Sequence, residues 1–170
     1  MTSEFSVMDF EIITERLSMR LWEEMDASWY RELVGERGVD EPTFEEACER
    51  VMSLRASALE NGISLLPIRR KDEGDIIGYC GLIIGRSTLE EPEIAYELFK
   101  RAHGKGYATE AASAIIEAAA ATGRKRLWAT VGSWNRASFR VLEKIGFTRQ
   151  HSTWKDDGEE IVWNMRELSL

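Results

Sequence analysis

The sequence predicts a mixed α/β fold, with about seven strands in one central sheet and four helices on its faces. Apolar and polar residues alternate in several short segments, which is typical of strands. Capping residues and glycines bound the longer segments, and short polar turns join neighbouring strands. The 170 residues suit one domain, which we expect to span residues 1–170.

The first half of the chain is predicted to contain one strand, two helices and a pair of strands. Leu17, Met19 and Leu21 alternate with polar residues, as in a half-buried strand. Thr43 has the side chain of a helix N-cap, and Glu46 completes a capping box. The predicted elements are a strand at 16–22, a helix from 26 to about 35, a helix from 43 to about 61, and strands at 64–70 and 76–84.

The second half is predicted to alternate strands with helices and to end in a hairpin. An alanine-rich segment closed by Gly123 is the strongest predicted helix, and Gly146 closes a shorter one. Residues 156–158 suit the turn of the hairpin. The predicted elements are a strand at 93–98, a basic loop at 100–105, a helix at 107–122, a strand at 127–131, a helix at 135–145, and hairpin strands at 147–154 and 161–167.

The composition narrows the range of partners. A formal net charge of -8 argues against a general binder of nucleic acid or of anionic membranes, because both need a basic face. Acidity fits a cationic amine substrate, although it is also a common device for solubility. Cys48 and Cys80 have no metal-like spacing, so no metal cofactor is expected. The chain shows neither a membrane span nor a signal peptide, and we therefore expect a cytoplasmic location.

The segment from His103 to Ala111 joins a predicted strand to the strongest predicted helix. Gly104 and Gly106 allow backbone to approach a ligand closely, and the first N–H groups of the helix favour an anion. Lys105 adds positive charge, so the loop suits a pyrophosphate. A tight turn without a ligand is the alternative. Neither the Gly-x-Gly-x-x-Gly pattern nor the Walker pattern is present.

This loop resembles the coenzyme A pyrophosphate loop of the GNAT superfamily of N-acetyltransferases, and in particular its ribosomal-protein N-acetyltransferase branch. Gly106 and Ala108 then occupy the two small positions of the family motif, and His103 stands where an Arg or Gln is usual. A second register, starting at Arg101, also fits the motif. Three further segments resemble that branch in the same order, at 14–20, 93–96 and 135–147.

The resemblance implies a GNAT-like, mostly antiparallel sheet that is splayed between its fourth and fifth strands, with acetyl-CoA as the cosubstrate. Pantetheine would pair with the end of the fourth strand, and a backbone N–H near Leu98 would polarise the thioester carbonyl. By the same resemblance Asn135 hydrogen-bonds pantetheine. Capping the following helix is a nearly equal alternative, and the residue can do both. The implied cofactor-binding residues are Leu98, Phe99, Lys100, His103, Gly104, Lys105, Gly106, Tyr107, Ala108 and Asn135.

Two residues are predicted to carry the chemistry of acetyl transfer. Glu93 occupies the position of a glutamate base in some relatives, and Glu97 lies on the same strand face. A water relay without a dedicated base, or a structural role for either carboxylate, stays open. Ser138 is the predicted proton donor to the leaving thiolate, and simple helix packing is its alternative. The tyrosine that other members use is absent from the helix at 135–145.

The acceptor is the least defined part of the prediction. The resemblance implies a primary amine, on a protein N-terminus or on a small molecule, and leaves a homodimer open. Two other functions stay open: a non-catalytic domain that senses acyl-CoA, and an interaction domain with an empty cleft. Neither nucleic acid nor a membrane is an expected partner.

Overall fold

A computed structural model describes residues 4–169. Its centre is one sheet of eight strands in the order β1-β2-β3-β4-β5-β6-β8-β7. The strands are β1 (Ile12–Ile13), β2 (Leu17–Met19), β3 (Leu65–Arg70), β4 (Ile76–Ile83), β5 (Glu93–Leu98), β6 (Arg126–Gly132), β7 (Thr148–Trp154) and β8 (Glu160–Glu167). The helices are α1 (Ala27–Gly35), α2 (Phe44–Asn61), α3 (Tyr107–Ala121) and α4 (Arg136–Lys144).

The predicted mixed α/β fold is confirmed, with two differences at the amino end. Strand β1 was not predicted, because a strand of two residues is too short to show an alternating pattern. Strand β2 ends at Met19 instead of residue 22, because the chain turns there and the fully buried Trp22 packs beneath α1. Short 3₁₀ turns also precede α1 and follow β5.

The helix ends follow the capping residues. The Thr43 hydroxyl accepts the Glu46 N–H, and the Glu46 carboxylate accepts the Thr43 N–H, which completes the predicted capping box of α2. Asn135 caps α4 by accepting the Ser138 N–H at 3.2 Å. Gly106 lies immediately before α3 with a φ of 81°, a conformation that glycine adopts without strain.

Helices cover the sheet on both faces and divide its apolar residues into two clusters. The larger cluster lies between the sheet and α3 and α4, and it includes Ile94, Leu98, Ile115 and Leu142. The smaller cluster lies beneath α1 and α2, around Trp22. Among the described residues, no helix is both long enough and apolar enough to cross a membrane.

The sheet is splayed between β5 and β6, as the resemblance implies. These are the fourth and fifth of the predicted strands, because β1 was not among them. These two strands are parallel, and Glu93 opposite Trp128 is the one register pair between them in the described chain. The Trp128 N–H donates to the Pro92 carbonyl at 3.0 Å, which ties the strands at their amino ends. Beyond this point β5 stays paired with β4 and β6 stays paired with β8, so a cleft opens toward the carboxyl ends.

Candidate active site

The loop before α3 presents unpaired backbone donors. Gly104 and Gly106 have φ values of 74° and 81°, and both are exposed. Within residues 4–169, the N–H groups of Gly104, Lys105 and Gly106 donate no hydrogen bond. The first N–H groups of α3, at Tyr107 and Ala108, have no partner inside the helix. The loop can therefore surround an anion with backbone donors at the positive end of a helix dipole.

Arg16 and Glu110 hold this loop in place. The Glu110 carboxylate, in the first turn of α3, accepts the Arg16 N–H at 2.8 Å and the Arg16 Nε–H at 2.6 Å. It also accepts the Thr14 hydroxyl at 2.5 Å. The Arg16 guanidinium donates to the Lys105 carbonyl at 2.9 Å and lies 4.3 Å from the Tyr107 ring centroid. The resemblance pointed to the strand that carries Arg16 but gave this residue no role.

His103 is bound to the strand end and not to the loop that follows it. Its Nε2 lies 2.9 Å from the carbonyl oxygen of Leu98. Because a carbonyl only accepts, Nε2 carries the proton in this contact. The imidazole thus ties the last residue of β5 to the start of the loop.

The three strand-end residues, Leu98, Phe99 and Lys100, direct their backbone N–H groups differently. Phe99 N–H donates to the Ile77 carbonyl at 2.8 Å, on the β4 side, and Lys100 N–H donates to the Glu36 carboxylate at 2.8 Å. Neighbouring residues of a strand point their N–H groups in opposite directions. The Leu98 N–H therefore points away from β4 and toward the cleft.

Glu93 lies at the closed end of the cleft, where β5 and β6 are still paired. It is 4% exposed, and each of its oxygens accepts a hydrogen bond. One oxygen accepts the backbone N–H of Arg86, and the other accepts the Thr130 hydroxyl at 2.5 Å. Gly85 has a φ of 55°, and a Cβ at that position would collide with the Glu93 carboxylate. The loop after β4 thus closes over this side chain.

Glu97 lies on the same face of β5 but is held by a cation. Arg37 binds both of its oxygens, with separations of 2.8 Å from Nε and 2.6 Å from Nη2. The Tyr79 hydroxyl donates to it at 2.9 Å. Burial, and the negative charge of Glu97, raise the pKa of Tyr79 above its ordinary value. This cluster fastens α1 to the sheet, and it accounts for Glu97 structurally.

The predicted residues of α4 lie on the opposite face of the sheet from Glu93. Asn135 uses its side-chain oxygen to cap the helix, and its amide nitrogen has no partner among the described residues. The Ser138 hydroxyl is likewise unpartnered within residues 4–169, while its carbonyl accepts the Tyr96 hydroxyl at 3.3 Å. Burial raises the pKa of Tyr96 to about 12. Tyr96 thus connects β5 to α4 across the cleft.

The structure brings most of the predicted residues together around one cleft. The loop donors, the Leu98 N–H and the first turn of α4 lie along its α3 and α4 side, and Glu93 lies at its closed end. No role was predicted from the sequence for Arg16, Tyr96 or Thr130. Tyr96 stood within the segment that resembles the family, but nothing in the sequence signals the Thr130 contact. No group of three potential metal ligands occurs among the described residues.

Comparison with known proteins agrees with this geometry. Residues 16–148 match a family model described as an acetyltransferase (GNAT) domain. The Bacillus subtilis protein YkkB is 36% identical over 89 residues, which cover 50% of this chain and 51% of YkkB. The chain thus matches about half the length of that relative.

Two solved structures are similar over nearly their whole length. An acetyltransferase from Agrobacterium tumefaciens has a TM-score of 0.73 and 28% identity, covering 91% of this chain and 92% of its own. RimL, a ribosomal L7/L12 alpha-N-protein acetyltransferase solved with coenzyme A, has a TM-score of 0.80 and 16% identity, covering 92% and 97%. The RimL likeness concerns the fold, whereas the family model covers most of the chain. The chain belongs to the GNAT family of acetyltransferases.

Proposed function

We propose that this acetyltransferase transfers an acetyl group directly from acetyl-CoA to a primary amine, on a protein N-terminus or on a small molecule. The observation that carries the proposal is the cleft itself. Unpaired backbone donors before α3, the open edge of β5 and a buried carboxylate surround one opening in the sheet. RimL, whose fold is similar, was solved with coenzyme A and is described as acting on a protein α-amine.

The binding residues fit the parts of coenzyme A in order along the cleft. The N–H groups of Gly104, Lys105, Gly106, Tyr107 and Ala108 would hold the pyrophosphate. Pantetheine would lie beside β5 as an added strand, between the Leu98 backbone and the free amide of Asn135. His103 would act indirectly, by fixing the Leu98 carbonyl.

Acetyl-CoA, when bound, supplies an activated thioester. The Leu98 N–H points into the cleft and would donate to the thioester oxygen, where negative charge develops during transfer. A preorganised donor of this kind typically contributes about 3–4 kcal/mol. Phe99 and Lys100 would hold the end of the strand in place and would not donate to the cosubstrate. Their N–H groups already donate to the Ile77 carbonyl and the Glu36 carboxylate.

Glu93 is the proposed base, and Glu97 is a weaker candidate. The acceptor amine must lose a proton, and Glu93 lies at the closed end of the cleft with no cation bound to it among the described side chains. Glu97 already binds the Arg37 guanidinium through both oxygens. A carboxylate with neutral partners is better suited to accept a proton and release it again.

Ser138 is the proposed proton donor to the departing thiolate. Its hydroxyl is unpartnered in the described structure and lies in the first turn of α4, next to the capping Asn135. The Tyr96 hydroxyl, which donates to the Ser138 carbonyl, would help to hold this turn against β5.

A thermal-shift titration with acetyl-CoA tests the cosubstrate. Ligand at about 100 times its Kd adds roughly 2.7 kcal/mol of stability, which raises the Tm by several degrees at about 2–4 °C per kcal/mol. ATP is the control, because it carries phosphates but no pantetheine. We expect a rise with acetyl-CoA that is absent with ATP. Equal responses, or none, would contradict the proposed site.

Coenzyme A release tests the transfer. The panel of acceptors would contain peptides with free N-termini, spermidine and lysine, each assayed with acetyl-CoA and a thiol reagent. We expect release that depends on at least one amine. If acetyl-CoA binds but no amine increases release, the transfer to an amine is wrong, and a binding domain becomes the better description.

A further inference from the structure

Little of Glu93 is open to a substrate amine. It is 4% exposed, and the backbone N–H of Arg86 occupies one of its oxygens. Its other oxygen faces Thr130, whose hydroxyl is the one side-chain donor to this carboxylate among residues 4–169. Among the described side chains, Thr130 is therefore the one placed to pass a proton to Glu93.

Thr130 is placed between this carboxylate and the opening of the sheet. It lies on β6, two residues beyond Trp128, where the pairing with β5 ends. Trp128 and Thr130 lie on the same face of β6 because side chains alternate along a strand. Thr130 is only half-buried, whereas Glu93 is buried, so Thr130 is the more accessible of the two residues.

The hydroxyl of Thr130 is also oriented. Arg86 Nη1 donates to it at 3.0 Å, and the hydroxyl donates to Glu93 at 2.5 Å. A hydroxyl has one proton and two lone pairs. With the proton directed to Glu93 and one lone pair directed to Arg86, the second lone pair remains for an N–H donor in the cleft.

We propose that Thr130 relays the proton of the acceptor amine to Glu93. The acceptor ammonium gives a proton to the Thr130 oxygen as the Thr130 proton moves to Glu93, so the hydroxyl is regenerated and Glu93 becomes neutral. The neutral nitrogen then attacks the thioester carbon, and the bond from that carbon to sulfur breaks with its electron pair leaving on the coenzyme A thiolate. The nitrogen loses a second proton as the amide forms, and this proton replaces the one that Ser138 donates to the thiolate. The relay rests on the proposed function, with Glu93 as its terminal base.

Arg86 has two effects on this relay, both of them indirect. Its hydrogen bond fixes the direction of the Thr130 hydroxyl. Its positive charge disfavours an ammonium beside Thr130 and so favours the neutral amine, which is the nucleophilic form. Arg86 is thus a positioning residue, whereas Thr130 contacts the reacting nitrogen.

Two substitutions separate the relay from a packing role. Thr130→Val keeps the shape of the side chain but removes the hydroxyl, and Thr130→Ser keeps the hydroxyl. Thr153→Val is the matched control, because Thr153 lies on β7, accepts the Trp163 indole N–H and has no contact with Glu93. Each full-length variant is first titrated with acetyl-CoA by thermal shift, and kcat and KM are then measured with the amine from the panel that gives the fastest release.

We expect Thr130→Val to bind acetyl-CoA normally and to lose about 10²-fold or more in kcat at pH 7, the low end for a positioned acid–base group. Thr130→Ser should recover most of this activity, and Thr153→Val should not change it. The deficit of Thr130→Val should shrink by at least tenfold at a pH above the pKa of the acceptor amine, because the amine then arrives neutral. A purely structural loss would not depend on pH in this way.

Three outcomes would overturn the relay, and they differ in whether Glu93 remains the proposed base. If Glu93→Gln lowers kcat but Thr130→Val does not, Glu93 is the base and receives its proton by another path. If Thr130→Val loses activity equally at every pH, or Thr130→Ser does not recover it, Thr130 has a packing role. If Glu93→Gln retains full kcat, the proposed base is wrong and the relay with it.

Discussion

Glu93 and Glu97 lie four residues apart on one face of β5, and their carboxylates have different partners. Glu93, at the amino end, accepts a backbone N–H and a hydroxyl, both of them neutral. Glu97, near the carboxyl end, accepts a guanidinium and a phenol. The two residues share a strand, a face and a chemical type. Their distinction arises from their partners: the loop after β4 and Thr130 of β6 at Glu93, and the segment after α1 and Tyr79 of β4 at Glu97.

The position of a carboxylate in a strand does not by itself make it a base. Period-two alternation puts both carboxylates on the face toward α1 and α2. The two carboxylates then differ in their partners, because a permanent cation binds Glu97 and neutral donors bind Glu93. The first prediction tests this division directly.

The largest effect is expected from Glu93→Gln, with Glu97→Gln as its matched control. Loss of a positioned base typically lowers the rate by about 10²–10⁴-fold, and we expect Glu93→Gln to lower kcat within this range. Glu97→Gln should stay within about threefold of the parent, because it removes a link between α1 and the sheet. The measurement is kcat with acetyl-CoA and a panel amine. The reverse order of effects would exchange the roles of the two residues.

The next effect concerns the loop beyond the carboxyl end of β5. Gly106→Ala puts a side chain at a φ of 81°, which costs about 1–2 kcal/mol and displaces the N–H groups before α3. We expect roughly tenfold weaker binding of acetyl-CoA, measured by thermal shift.

Gly74→Ala is the control for this strain. Gly74 has a φ of 80°, and a Cβ there would meet nothing within 4 Å, but the residue lies in the turn between β3 and β4. Both variants should lose similar stability, and Gly106→Ala alone should lose affinity. Equal affinities for acetyl-CoA in the two variants would argue that the loop does not contact the ligand.

A smaller effect, dependent on pH, is expected from Glu110→Gln. Burial tends to raise the pKa of Glu110, but hydrogen bonds from Thr14 and Arg16 outweigh it and lower the pKa below 4.5. A lowered pKa stabilises the fold above the unfolded value, and this contribution disappears as the pH falls through the folded value. We expect Glu110→Gln to be about 1 kcal/mol less stable at pH 7.

Urea denaturation at pH 7 and pH 3 measures this difference. The parent and Glu110→Gln should converge in stability at pH 3, because the parent carboxylate is then becoming protonated. A gap that is as large at pH 3 as at pH 7 would show that the charge of Glu110 contributes nothing and that the substitution disturbs packing alone.

The smallest effect is expected from Arg37→Ala. Its ion pair with Glu97 is partly exposed, with side-chain exposures of 43% and 25%, and such pairs contribute at most about 1 kcal/mol. We expect a decrease in stability of no more than this and no change in kcat. A large fall in kcat would indicate that Glu97 takes part in the chemistry after all, and would weaken the contrast between the two ends of β5.

Local signals in the sequence were sufficient for most of the fold. The capping box at Thr43, the glycine at 106 and the Asn135 cap each specify a helix end from residues that are neighbours in the chain. Alternation, short apolar runs and turn residues located seven of the strands, while β1 was too short to detect. The splay itself followed from resemblance, because no local pattern marks where two parallel strands separate.

The site was less predictable, because its decisive contacts join distant segments. Thr130 and Glu93 are 37 residues apart, and Arg86 and Thr130 are 44 apart. Threonine is a common β-branched residue of strands, so its presence at position 130 predicts no special role. Only the register of the sheet shows which residue it faces. The contact of Arg16 with Glu110 spans 94 residues and was equally invisible.

The separation of β5 from β6 also has a consequence for how the molecule opens. Strands β1 to β5 form one hydrogen-bonded half of the sheet, and β6 to β8 form the other. Glu93 with Trp128 is the register pair that joins the two halves. Two halves of a sheet with so narrow a junction can exchange their amide protons as separate cooperative units. A ligand that fills the gap would link them. Bound acetyl-CoA should therefore slow deuterium uptake in β6 and β8 as well as in β5, although β8 lies one strand away from the cleft.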